Sequence, residues 1–220
     1  MNRLSSTNLF HFLKKKEWLL EILENMSFKP RYVQEEYPSL KETYLIPMKC
    51  FCDIPLSSIK NHISKYGKFG IGFNKEFAYK HYISPVCYYY ESSNTIFRLI
   101  TMEKPDSINQ GSLIPYFKYI NSADKTENYY DEREWRYITG TIYDITNLST
   151  QEQIQKQDDL NSKITDKVVF NLEDIKYIFV DTENDKIEIL HKINKMNSSE
   201  FSKDILKTKI ITAQQIFDDF

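Results

Sequence analysis

The chain is poor in glycine, with 5 among 220 residues, against about 7% of residues in average proteins. That scarcity excludes collagen-like, glycine-linker and propeller-like compositions. Cysteine is sparse too: Cys50, Cys52 and Cys87 are an odd count with no paired framework, which fits a reducing cytoplasm and reads as thiols packed in a core. Cys50 and Cys52 are one residue apart, whereas zinc ligands usually stand two to four apart with a second ligand pair, so no metal site is expected. Charge of one sign is lacking. Twenty-nine basic residues against 31 acidic ones leave a net charge of -2, which argues against a bulk electrostatic grip on nucleic acid. No apolar run approaches the roughly 20 residues that span a bilayer, and the N-terminus has no hydrophobic export core. Neither a GxSxG elbow, an HExxH helix, an EF-hand loop nor a P-loop is present.

What the chain has in quantity is aromatic: 16 Tyr and 14 Phe, within a hydrophobic share of 41%. This is enough to build a sizeable core and excludes wholesale disorder. The glycines are also concentrated, since Gly67, Gly70 and Gly72 fall in one six-residue window.

Periodicity predicts a helix over 7–25, with Leu9, Phe12, Leu13, Leu19, Leu20 and Leu23 on its apolar side. Residues 28–45 read as irregular, with Pro38 as a breaker. A buried strand over 46–54 leads to a turn at Pro55, then a helix from Ser57 to Tyr66. Residues 68–73 alternate Phe69, Ile71 and Phe73 with Gly70 and Gly72, a strand with one face stripped of side chains. A short helix over 74–81 and a strand over 86–90 follow. Helices are expected around 95–102 and 113–120, a polar loop over 124–128, and a strand over 129–144. The polar stretch 146–166 reads as a surface excursion or flexible insertion. Strands at 167–170, 175–180 and 209–211 alternate with a helix at 185–196 and a last helix capped by Thr212. Interspersed elements without a βαβ rhythm imply an α+β class: one domain over 1–220, a mixed, largely antiparallel sheet and peripheral helices.

Three motifs can carry chemistry. In CFCDIP, residues 50–55, Asp53 either bonds nearby backbone amides or stands as a carboxylate at the mouth of a cleft. In YGKFGIGF, residues 66–73, the glycines admit either a packed neighbour or a flat ligand; the order GxxGxG is not the dinucleotide fingerprint. In YYDEREWRY, residues 129–137, strand geometry puts Glu134 and Arg136 on one side and Arg133, Trp135 and Tyr137 on the other, the aromatic side being the one suited to burial. Glu134 is then either a rung of a salt-bridge ladder or a positioned carboxylate for a sugar hydroxyl or a cationic transition state.

Taken in order, PMKCFCDIPLS (47–57), YGKFGIGFNKEF (66–77), SPVCYY (84–89) and YDEREWRY (130–137) resemble the AbiGi family of bacterial abortive-infection proteins. The resemblance covers roughly residues 5–140. It implies a cytoplasmic role in phage defence, and proteins of this family are often labelled as antitoxins. A more distant likeness is to the layout of ADP-ribosyltransferase-like domains. It implies Glu134 as the glutamate that fixes a ribose hydroxyl of NAD, with Tyr66 and Phe73 as pocket residues. The early strand carries Cys52 and Asp53 where such enzymes present His or Arg. The expectation is a cleft lined by Asp53, Tyr66, Gly70, Gly72, Phe73, Glu134 and Arg136 that takes a nucleotide-like ligand for ADP-ribosyl transfer. The alternative is a non-enzymatic antitoxin or sensor that binds a toxin or a phage protein through exposed aromatics.

Overall fold

A computed structural model of the chain describes residues 5–90, 98, 112–120 and 129–219. Along the chain run β1 (Asn8–Leu13), α1 (Lys16–Asn25), β2 (Ser27–Phe28), β3 (Arg31–Tyr37), β4 (Glu42–Cys52), α2 (Lys60–Tyr66), β5 (Phe69–Asn74) and α3 (Lys75–Lys80). Then come β6 (Ser84–Pro85), β7 (Cys87–Tyr89), β8 (Phe117–Tyr119), β9 (Glu134–Ile138), β10 (Tyr143–Asp144), α4 (Thr150–Lys163), β11 (Val168–Val169) and β12 (Ile175–Val180). Helices α5 (Glu183–Asn194) and α6 (Glu200–Lys207), strand β13 (Ile210–Thr212) and helix α7 (Ala213–Asp219) complete it. The class is α+β and the strand pairing is mixed and mostly antiparallel. The described residues fall into two compact units. One draws on Met1–Phe28, Phe51–Tyr82 and Val168–Phe220, the other on Lys29–Cys50 and Ile83–Lys167.

In the first unit, the strand order is β13-β12-β5-β1, with the last residue of β4 beside β1 at Phe10↔Cys52. The segment expected to be one helix over 7–25 is strand β1 followed by helix α1. Strand β1 is paired on both sides, so Leu9, Phe10, Phe12 and Leu13 are all buried, and a two-faced apolar strand has no alternation to distinguish it from a helix. Register sets Phe10 opposite Gly72 and Phe12 opposite Gly70. A Cβ on Gly72 would stand 2.8 Å from the Phe10 ring, and one on Gly70 would stand 2.7 Å from the His11 carbonyl oxygen. The stripped face of β5 is thus filled by Phe10 and Phe12, which meet Phe179 at ring separations of 5.4 and 5.0 Å. On the other face Phe28, Phe73, Phe77 and Phe170 form a second aromatic cluster, with Phe73 stacked on Phe77 at 4.4 Å. Burying one such ring is worth about 1.5–3 kcal/mol. Helix α6 fills the stretch between the helix expected at 185–196 and the strand expected at 209–211, where no element was expected.

The stretch 28–45, expected to be irregular, begins with the last residue of β2, and in the second unit its Arg31–Tyr37 forms β3, an antiparallel hairpin with β4. Pro38 lies in its connecting turn, where Lys41 N–H donates to the Pro38 carbonyl (3.0 Å) and Lys41 takes φ 56. The helix expected over 113–120 is a single 3-10 turn, Ile114–Tyr116, leading into β8, which runs parallel to β7. The strand expected over 129–144 is divided into a 3-10 turn, β9 and β10, with Gly140 at φ 64 between the strands. The stretch 146–166 carries a fourteen-residue helix, α4, opened by a capping box of Ser149 and Glu152. The helix expected over 95–102, Arg98 apart, and the loop over 124–128 lie outside the described residues.

Candidate functional site

Asp53 directly follows the last residue of β4, in the first unit, with 6% of its surface exposed. Its Oδ1 accepts from the Ser6 backbone N–H (2.7 Å) and its Oδ2 from Lys75 Nζ (2.9 Å), which also reaches Ser5 Oγ (3.1 Å). The carboxylate therefore binds a backbone amide far away in sequence and the lysine that opens α3. Tyr66 closes α2, packs on the core around Phe10 and Phe12, and lies 4.4 Å from the His62 ring. Phe73 is fully buried, and Gly70 and Gly72 are buried beside it.

In the second unit Glu134 and Arg136 share a side of β9, as two-residue spacing requires. The expectation that the aromatic side faces inward is corrected. Glu134 and Arg136 are the buried residues, at 8% and 0% exposure, while Trp135 and Tyr137 are half-buried. The charged side can face inward because every charge on it is matched. Arg136 Nε and Nη2 donate to Glu134 Oε1 (2.8 Å) and Oε2 (3.0 Å) as a fork. Its Nη1 donates to the Pro115 carbonyl (2.7 Å), and Nη2 lies 3.2 Å from Glu35 Oε2. Lys118 Nζ completes the set on both Glu35 oxygens, at 3.0 and 3.1 Å. Two carboxylates thus face two cations, drawn from β3, β8 and β9. The Glu134 backbone N–H donates to the Tyr88 hydroxyl oxygen (2.7 Å).

Burial by itself would raise the pKa of Glu134. The Arg136 guanidinium, with help from Lys118 and the Cys50 thiol, outweighs it and holds the carboxyl below its usual range. Burial opposes the charge on Arg136 as well, but Glu35 and Glu134 hold it protonated. Cys50 is pushed well up, by burial first and then by Glu134. Both effects favour the protonated thiol over the thiolate. The cluster keeps Glu134 ionised, with both oxygens occupied.

The structure thus brings Glu134 and Arg136 together within one unit and assigns Asp53, Tyr66, Gly70, Gly72 and Phe73 to the other. Sequence reasoning missed Glu35, Lys118, Cys50 and Tyr88 as partners of Glu134 and Arg136. A signal for Glu35 was present in RYVQEEY, where it shares parity with Val33 and Tyr37. Lys118 had none, because β8 read as helix. Among the described residues no group of three or more His, Cys, Asp or Glu is placed to hold a metal ion, and no helix is long and apolar enough to cross a membrane.

A family model described as "Putative abortive phage resistance protein AbiGi, antitoxin" matches residues 26–181. A protein of Lactococcus lactis subsp. cremoris, described as "Abortive phage resistance protein AbiGi", is 28% identical over 256 aligned positions, covering 89% of this chain and 100% of the relative. No solved structure matches the chain.

Proposed function

Because the chain belongs to the AbiGi family of abortive phage resistance proteins, we propose that it serves anti-phage defence as an antitoxin, a protein that binds and restrains a toxin. The observation that carries this reading is the state of Glu134. Both oxygens are held by Arg136 inside a charge-balanced cluster, so the motif residues act as scaffold. The matched family description, which names an antitoxin, points the same way. A second reading, ADP-ribosyl transfer from NAD, draws on the ionised state of Glu134. It requires that carboxylate to exchange its guanidinium partner for a ribose hydroxyl.

Growth separates the two. The chain is expressed alone in a bacterial host, and then together with toxin genes taken from the same defence locus. An antitoxin leaves growth unchanged by itself and restores it when the toxin is present. Growth arrest by the chain alone, relieved by a folded Glu134→Gln variant, would overturn the antitoxin reading in favour of the transferase.

A further inference from the structure

Strand β3 is seven residues long, and among the described residues it pairs with β4 alone. Such an edge is a liability unless it is covered or used. The register gives the direction of each backbone group. Tyr32 stands opposite Pro47, which has no N–H to give, and the Pro47 carbonyl accepts from Thr139 N–H (3.1 Å) on the side away from β3. Glu36 stands opposite Thr43, whose N–H donates to Thr146 Oγ1 (2.9 Å) and whose carbonyl accepts from Ile145 N–H (2.9 Å). Tyr32, Gln34 and Glu36 therefore turn their N–H and carbonyl groups outward from the hairpin.

Helix α4 covers one of these three with side-chain amides. Asn161 Oδ1 accepts from Tyr32 N–H (2.7 Å), and Gln157 Nε2 donates to the Tyr32 carbonyl (2.9 Å). Those two bonds, donor to carbonyl and acceptor to N–H, are what one residue of a pairing strand supplies. Gln153, one turn earlier, meets the Gln34 side chain at 3.5 Å. Residues 153, 157 and 161 form one stripe of the helix at four-residue spacing. No residue of α4 is fully buried; Leu160, with Ile164 just beyond the helix, packs half-buried against Tyr32, Leu45 and Ile145.

We propose that the outward edge of β3, Tyr32 to Glu36, is the docking edge for an extended segment of the toxin, and that α4 is a displaceable stand-in for it. This rests on the antitoxin reading above. An extended backbone alone repeats N–H and carbonyl groups at the spacing of Tyr32, Gln34 and Glu36, and it replaces Asn161 and Gln157 bond for bond. The exposed Glu36 carboxylate favours a basic residue on the incoming segment.

The probe is the purified toxin whose arrest the wild-type chain relieves. Hydrogen exchange on the wild-type complex is expected to show the Gln34 and Glu36 amides newly protected and the α4 amides exchanging faster. Gln34→Pro removes one outward N–H without touching the β4 ladder. It is expected to weaken binding at least about tenfold, the equivalent of about one hydrogen bond lost. Gln157→Ala with Asn161→Ala loosens the cover and is expected to tighten binding about tenfold, because more of the edge is open before the toxin arrives. Should Gln34→Pro misfold, the exchange map on the wild type still decides. Toxin-induced protection confined to other strands, or tight binding by folded Gln34→Pro, overturns the proposal and leaves the antitoxin reading intact. A β3-mediated dimer of the free chain, lost in Gln34→Pro, would give the edge to a second copy instead. A wild-type chain that relieves no toxin overturns both.

Discussion

Replacing Arg136 by methionine tests the cluster around β9 most severely. The guanidinium is fully buried and serves Glu134 twice, the Pro115 carbonyl once and Glu35 once. Breaking a buried ion pair by removing one partner costs about 3–5 kcal/mol, because the other charge is left without compensation. Stranding the Pro115 carbonyl adds about 1–3 kcal/mol. Glu35 keeps Lys118, so its share is small. A loss of about 4 kcal/mol or more is expected, a large part of the roughly 5–15 kcal/mol that domains possess. With a urea slope of about 2 kcal/mol/M, the unfolding midpoint should fall by about 2 M. The pH dependence should also invert. In the wild type the folded pKa of Glu134 lies below its ordinary 4.5, so its contribution is present above pH 4.5 and lost as pH falls through the folded value. Without Arg136, burial dominates and the folded pKa rises above the unfolded one. Stability is then greatest in acid and is lost as pH rises through the raised value. The double variant Glu134→Leu with Arg136→Met removes both charges and should be more stable than Arg136→Met alone. A midpoint shift under about 0.5 M, or an acid slope of wild-type sign in Arg136→Met, would refute this account.

Two further outcomes follow from the first unit. A Cβ on Gly67, which sits at φ 124, would lie 2.0 Å from the Leu13 carbonyl oxygen; on Gly70 it would meet the His11 carbonyl at 2.7 Å; on Gly72 it would meet side chains alone, the Phe10 ring at 2.8 Å and Tyr177 Cβ at 3.2 Å. Thermal melts should rank alanine variants Gly67, Gly70, Gly72 from most to least destabilised, with Gly70→Ala costing about 1–3 kcal/mol; a Gly72 variant worse than the other two would contradict the packing described. The His81 ring lies tilted against Phe77 at 4.6 Å, its Nε2 is buried without a hydrogen-bond partner among the described residues, and its pKa is lowered, by burial first and by Lys80 second, against a smaller opposing pull from Asp174. Its folded pKa lies below the unfolded 6.5, so stability should fall as pH drops below about 6.5, and His81→Phe should flatten that slope in denaturant titrations. A slope unchanged by the substitution would assign the effect elsewhere.

Local chemistry was legible in the chain. The Ser-x-x-Glu of Ser149 and Glu152 is a capping box that opens α4, although the polarity of the following residues disguised the helix as an excursion. Two-residue spacing puts Glu134 and Arg136 on one side of a strand, and alternation puts Gly70 and Gly72 on one face of β5. Which side turns inward was not local information. Burying Glu134 and Arg136 requires Glu35 from β3 and Lys118 from β8, and only pairing across the unit supplies these. The N-terminal segment shows the same division. Leu9 to Leu13 is compatible with either helix or strand by its own pattern. It becomes a strand because Phe10 and Phe12 find the vacant face over Gly72 and Gly70, some sixty residues away. By itself, then, the sequence determined spacing, caps and the family's motifs, all of which depend on neighbours along the chain. The tertiary structure decided which groups are desolvated and what neutralises them, because burial energy depends on neighbours in space.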